Sequence, residues 1–248
     1  MLVRMTATRA PIVSTSDLHR RFGEGEAAVH ALRGVSISFP AGEFTAIMGP
    51  SGSGKSTLMH LLAGLDRPTS GSVVVDGQEL AGLNDRRLTD LRRDKLGFIF
   101  QAFNLVPVLT AEENITLPTM LAGRKPERGW LDTLVDTVGL RDRLTHRPSE
   151  LSGGQQQRVA VARALISRPA VVFADEPTGN LDSASSAEVL RLLRRAVDDF
   201  GQTVIMVTHD AGAAAAADRV VVLRDGAVVH DGASDSAEDL LDLMKQVA

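Results

Sequence analysis

The chain has 248 residues, 44% of them hydrophobic and 23% charged, with a formal net charge of −4 and no cysteine. By length it holds one large domain or two small ones, and it can bury a core without covalent staples. The composition excludes disulfides and thiolate metal sites, and its acidic balance argues against a general nucleic-acid binder. No apolar run approaches the roughly 20 residues of a membrane span. The first 17 residues lack the apolar core and small-residue cleavage site of an export signal. Any service to a membrane is therefore expected from one side and through a partner.

In chain order, residues 45–48 read as a strand running into a glycine-rich turn, and 55–65 as the helix after it. Residues 73–76 followed by Gly77 read as a strand ending in an Asp-Gly hairpin turn. Between about 98 and 168 β-rich runs are missing, and 111–117, 129–138 and 155–167 read as helices. Pro107, Pro118, Pro126 and Pro148 punctuate that stretch. Residues 171–174 and 204–207 are short, valine-containing runs that read as buried strands. The alanine-rich 211–217 reads as a helix; 220–224, Asp225-Gly226 and 227–230 make a second hairpin signal. Residues 235–245 read as an acidic amphipathic helix or a frayed tail. The alternation predicts an α/β fold with a mainly parallel sheet, interrupted by a helical insertion.

The first chemical motif is Gly49-Pro50-Ser51-Gly52-Ser53-Gly54-Lys55-Ser56, placed after a predicted strand and before a predicted helix. Such glycines let successive backbone N–H groups turn inward toward phosphate oxygens, and the following helix adds its positive end. Lys55 is expected to reach the β- and γ-phosphates, Ser56 to ligate Mg²⁺ and Thr57 to add a hydroxyl to the α-phosphate. A second motif lies downstream, where the strand 171–174 ends in Asp175-Glu176. Asp175 is expected to hold Mg²⁺ through its waters, and Glu176 to polarise an attacking water as general base. A solvated acidic turn is the bland reading of that pair; the phosphate loop upstream tips the balance.

A third motif, Leu151-Ser152-Gly153-Gly154-Gln155, opens the helical stretch that carries Arg158 and Arg163. A serine and two glycines at a helix N-terminus make a second anion-binding end. One nucleotide does not need two such ends from one chain. The arrangement makes sense if the second end closes over a nucleotide bound by another copy.

With these pieces in order, the chain resembles the ATP-binding cassette (ABC) family: Walker A at 49–56, Gln101, LSGGQ at 151–155, Walker B ending at Asp175-Glu176-Pro177, Asn180-Leu181-Asp182, and His209 in VTHD. The resemblance covers roughly residues 14–232 and implies a P-loop NTPase core at 14–97 and 169–232 with an N-terminal antiparallel β part. It also implies a helical subdomain at about 98–168 and a C-terminal helix or tail at 233–248. It further implies an ATPase that pairs head to tail around two ATP·Mg²⁺, each bound between one copy's Walker A and the other's LSGGQ.

The residue roles it implies are these. Phe22 stands where the family stacks an aromatic, often tyrosine, on adenine; simple core packing is its bland alternative. Gln101 bridges Mg²⁺ and water to the channel-forming subunit. Ser152 and Gly154, within the Ser152–Gln155 motif, contact the γ-phosphate of the opposite protomer. Asp182 links the two sites. His209 contacts the γ-phosphate and keeps Glu176 and water in register.

A finer resemblance lies in residues 100–107, 109–114 and 176–182, which look like the bacterial subgroup of macrolide and peptide exporters, lipoprotein-releasing ATPases and the cell-division ATPase. It implies a membrane permease, for which Phe103 and Leu105 are candidate contacts with core packing as their alternative. Exporters of this type often fuse the permease to the ATPase; in departure from them, this chain is expected to be a stand-alone peripheral subunit on the cytoplasmic face of the membrane, with no nucleic-acid partner. The alternative is a division-type regulator that signals through a membrane partner without moving a substrate.

Overall fold

The computed structural model describes residues 11–234 and 236–247. The first ten residues and Asp235, where the tail helix is expected to begin, lie outside them. A six-stranded sheet runs in the order β10 (Ala227–Ala233), β9 (Arg219–Arg224), β3 (Phe44–Met48), β8 (Val204–Val207), β7 (Val171–Asp175) and β6 (Leu96–Phe100). From β9 to β6 all neighbours are parallel; β10 folds back antiparallel on β9. A second, antiparallel sheet runs β2 (Val29–Pro40), β1 (Pro11–Phe22), β4 (Ser70–Val75), β5 (Gln78–Glu79).

The helices are α1 (Lys55–Leu62), α2 (Asp85–Lys95), α3 (Ala111–Leu121), α4 (Arg128–Val138), α5 (Gly153–Leu165), α6 (Ser183–Phe200), α7 (Ala211–Ala214) and α8 (Ala237–Val247). Helices α3 to α5 intervene between β6 and β7.

Every residue of β3 and β8 is buried, as the central strands of a parallel sheet covered on both faces must be. Side chains alternate along β3: Phe44, Ala46 and Met48 join the core made with α5 and α6, while Ile47 joins the core under α1 and the antiparallel sheet. Burial of Phe44, Ile47 and Met48 contributes about 1.5–3 kcal/mol each.

The structure redraws several boundaries. The helix expected over 55–65 stops at Leu62, because Gly64 enters the left-handed region at φ 61° and Leu65 N–H bonds back to the His60 carbonyl at 2.8 Å. Pro118 sits inside α3, which runs on to Leu121 from a Thr110–Glu113 capping box. The stretch read as helix alone also holds the end of an edge strand, β6. The alanine-rich helix is only four residues long, capped by Asp210.

The topology brings the carboxyl ends of β3, β6, β7 and β8 to one edge of the sheet. In open parallel sheets that edge is where ligands bind.

Candidate functional site

Strand β3 delivers the phosphate loop. Gly49 takes φ 148° and Gly54 φ 103°. A Cβ at Gly49 would collide with the Leu223 carbonyl, and one at Gly54 with the Ala31 carbonyl, so the loop packs directly on the backbone beside it. Lys55 Nζ donates to the carbonyls of Gly49 and Pro50 at 2.8 and 2.9 Å and so lies across the loop. Burial lowers the pKa of Lys55, against the opposing pull of the Glu176 and Asp175 carboxylates.

Gly54 caps α1 without a side-chain hydrogen bond, so side chains leave the first-turn amides of the helix to a ligand. Ser53 Oγ is buried without a partner among the described residues. Ser51, Gly52 and Ser56 are exposed, and Thr57 is half-buried.

Strand β7 delivers the carboxylates. Asp175, its last residue, is half-buried; burial pushes its pKa up and the neighbouring Glu176 adds to this, while His60 and Lys55 oppose. Glu176 follows at φ 46°, a left-handed conformation that is uncommon outside glycine. Its N–H bonds to the Val207 carbonyl at 2.9 Å, which pins the turn. His209, just past β8, places Nδ1 2.8 Å from Glu176 Oε1. With Glu176 ionised its carboxylate can only accept, and Nδ1 is then the donor of this bond.

Strand β6 delivers Gln101. Its Nε2 donates to Asn180 Oδ1 at 3.1 Å, and Asn180 Nδ2 returns a bond to the Gln101 carbonyl at 3.0 Å. Asp182 caps α6, accepting from the N–H and Oγ of Ser185, each at 2.9 Å; these bonds hold its carboxyl below the usual range. Ser152 and Gln155 form a reciprocal capping box at the start of α5, with bonds of 3.2 and 2.8 Å.

A Cβ on Gly154 would come within 2.7 Å of Ser185 Oγ, and one on Gly153 would meet Phe103 and Leu181. The signature therefore packs on the start of α6. Among the described residues, no hydrogen bond or ion pair joins residues 152–155 to 49–56. Phe22 ends β1 and is 43% exposed.

Two residues not legible as site elements tie these pieces together. Gln157, buried in α5, donates through Nε2 to the Pro177 carbonyl at 2.5 Å and to the Phe100 carbonyl at 3.3 Å. It thereby couples the signature helix to the ends of β6 and β7. Its only sequence signal is an amide on the apolar face of an amphipathic helix. Arg163 donates to the carbonyls of Phe103 and Asn104 at 2.8 and 2.6 Å and holds both residues in the left-handed region.

Comparison with known proteins fits this geometry. The family profile described as "ABC transporter" matches residues 32–179. An uncharacterized ABC transporter ATP-binding protein of Thermotoga maritima is 48% identical over 219 residues, covering 88% of this chain and 93% of that protein. The macrolide export ATP-binding/permease protein MacB of Marinobacter nauticus is 48% identical over 223 residues, and there the match spans 34% of the relative's length. Among solved structures, the dimeric post-hydrolysis ATP-binding cassette MJ0796 bound to ADP and Pi superposes with a TM-score of 0.81 at 40% identity, covering 90% of this chain and 99% of that one. The cbiO1 protein from Clostridium perfringens, part of the ABC transporter complex cbiONQ, gives 0.81 at 28% identity, covering 94% and 91%. This chain belongs to the ABC transporter family, as one of its ATP-hydrolysing ATP-binding cassettes.

Proposed function

We propose that the chain is the ATPase subunit of an export or mechanotransmission system of the macrolide, peptide or lipoprotein type, working from the cytoplasmic face of a membrane. Two copies pair head to tail around two ATP molecules and drive a permease carried on a separate chain. The observation that carries this reading is the division of the site. The phosphate loop, Asp175, Glu176 and His209 gather at one end, while the signature helix N-terminus packs on α6 without a bond to that loop. A signature in that place supports completion of the site by a second copy, and the solved MJ0796 cassette is itself dimeric.

Each side chain then has a task. Phe22 stacks on adenine. Lys55 leaves the loop carbonyls for the β- and γ-phosphates, which meet the amides that open α1. Gly49, Ser51, Gly52, Ser53 and Gly54 shape the cradle.

The residues present also fit Mg²⁺. Ser56, Asp175 and Gln101 offer hard oxygen donors, and among the described residues no cluster of three or more His, Cys, Asp or Glu forms a protein cage. Mg²⁺ is commonly held that way, by one or two carboxylates with waters and substrate phosphates. When bound, the ion neutralises charge developing on the phosphates. Glu176 takes the proton of the attacking water, and His209, bonded to it, keeps the carboxylate aimed. Ser152, Gly153, Gly154 and Gln155 of the second copy close over the γ-phosphate, and Asp182 connects the two sites. Because donors from both copies share that phosphate, its loss on hydrolysis releases the interface.

A groove of about 380 Å³ between α2, β6, α3 and α5 is lined by Phe98, Phe100, Leu117 and Leu121 with Arg92 and Arg163 on its sides. It is suited to receive a permease segment, next to Phe103 and Leu105. The MacB relatives are named ATP-binding/permease proteins, which supports that partner, and the Thermotoga relative, 93% of which the match spans, supports a cassette on its own chain.

Capture of tagged Glu176→Gln from native membranes with ATP and Mg²⁺ tests this. Recovery of a permease with a large extracytoplasmic part supports it, and recovery of a division protein supports the regulatory alternative. Soluble complexes alone, in several detergents, would remove the membrane role and leave the ATP-driven dimer.

A further inference from the structure

Phe22 offers a phenyl ring at a strand end, with no hydroxyl to fix its plane. Arg20, two residues earlier on β1, lays its guanidinium 4.4 Å from the centre of that ring. The pairing of β1 with β2 shifts register between Arg20 and Arg21, and across that irregularity the two side chains still meet.

The guanidinium is held from the protein side. Arg20 Nη2 pairs with Asp66 Oδ2 at 2.9 Å with both side chains mostly buried, and Arg20 Nε is buried without a partner among the described residues. The backbone is tied to the same loop: Arg21 N–H donates to Thr69 Oγ1 at 3.0 Å, and Thr69 N–H to the His19 carbonyl at 2.8 Å.

Asp66 lies just past the C-terminal end of α1, whereas the phosphate loop feeds its N-terminal end. Eight helical residues separate the two ends by about 12 Å. Asp66 thus anchors the guanidinium that covers one face of the ring, and the exposed Phe22 keeps its other face for a base.

We infer that Arg20 is a positioning residue for base recognition: it backs the Phe22 ring, so that guanidinium, phenyl ring and adenine form a three-layer stack anchored through Asp66. The inference rests on the reading of Phe22 as the adenine platform. A cation over one face of an aromatic ring is attracted by its π electrons, and here it fixes the plane of an otherwise half-exposed side chain. Arginine suits the place better than lysine, because its planar head stacks while still reaching a carboxylate.

The test is a double-mutant cycle read as the ATP dissociation constant of the full chain by titration calorimetry, with Arg20→Ala, Phe22→Ala and the pair. Thermal melting confirms that each variant is folded. Arg20→Ala is expected to weaken ATP binding roughly three- to tenfold, as loss of a cation–π layer implies. Its KM should rise by a similar factor while kcat falls by less. With Phe22 already alanine, removal of Arg20 should have little further effect. Arg20→Lys should recover part of the loss, and Asp66→Asn should reproduce part of it should Arg20→Ala prove unstable.

If Phe22→Ala leaves ATP affinity intact, the platform reading itself fails. If Phe22→Ala weakens binding but Arg20→Ala is neutral, or tightens it, Arg20 is not a backing layer. Equal losses from Arg20→Ala with and without Phe22 would show a general pull of the charge on the phosphates and would overturn the stack.

Discussion

Two helix N-termini in this chain carry glycine and serine, yet they are in opposite states. At α1 the capping residue is Gly54, which has no side chain to offer, and the first-turn amides are left to a ligand. At α5 the cap is Ser152, whose hydroxyl accepts from Gln155 while Gln155 returns a bond to the Ser152 N–H. An open N-terminus with a lysine across it captures phosphate by itself. A closed one is complete as it stands, and its hydroxyl can be shared with a phosphate brought from elsewhere. On the proposed function, the open end is the one that recognises the nucleotide and the closed end the one that meets a nucleotide held by a second copy.

The largest expected effect isolates the chemistry from both ends. Glu176→Gln removes the base but none of the phosphate donors, so ATPase turnover should fall at least about 100-fold while ATP still binds. Steady-state phosphate release alongside equilibrium ATP binding checks this, and rapid turnover by the variant would exclude Glu176 as the base.

Next comes the open end itself. Lys55→Ala should weaken ATP binding by roughly 10- to 100-fold, the value of a charge-assisted hydrogen bond pair, and calorimetry on the single chain reads it directly. The closed end should behave differently. Ser152→Ala should cost α5 about 1 kcal/mol of cap stability and should lower turnover while leaving the ATP affinity of the isolated chain near its original value. Equal losses of affinity from both substitutions would erase the distinction between the ends.

The smallest effect is on stability. Burial raises the pKa of Asp175, so the folded protein holds that proton more firmly than the unfolded chain does. The sign is therefore a penalty: absent below the unfolded-state pKa, it grows as pH rises toward the folded-state pKa and is complete above it. Asp175→Asn should raise Tm at pH 7 without ATP and Mg²⁺, with the gain shrinking on acidification, even as turnover is lost. A lower Tm at pH 7 would contradict this.

How much of this was visible in the chain depends on the range of the interactions concerned. The phosphate loop, the acidic pair and the signature are runs of adjacent residues, so their chemistry is written locally. Strands β3, β7 and β8 are legible because burial on both faces demands unbroken apolar runs. Strand β1 is not: its Ser14, Ser16, Asp17, His19, Arg20 and Arg21 obscure a strand that owes its conformation to pairing with β2 and β4 on either side. Pro118 signals a boundary by itself, but tertiary packing around α3 overrides it. Gln157, Arg163 and Arg20 are similarly opaque, since each acts on groups brought near only by the fold.

The central claim is that the site is completed by a second copy closing its signature over the nucleotide held at α1. The most direct measurement is the mass of purified Glu176→Gln by light scattering, with and without ATP and Mg²⁺, alongside the same variant carrying Gly154→Asp. The account predicts that ATP doubles the mass of the first protein and leaves the second a single chain that still binds ATP. A Glu176→Gln protein that stays a single chain while saturated with ATP, or a Gly154→Asp protein that dimerises as readily, would contradict it.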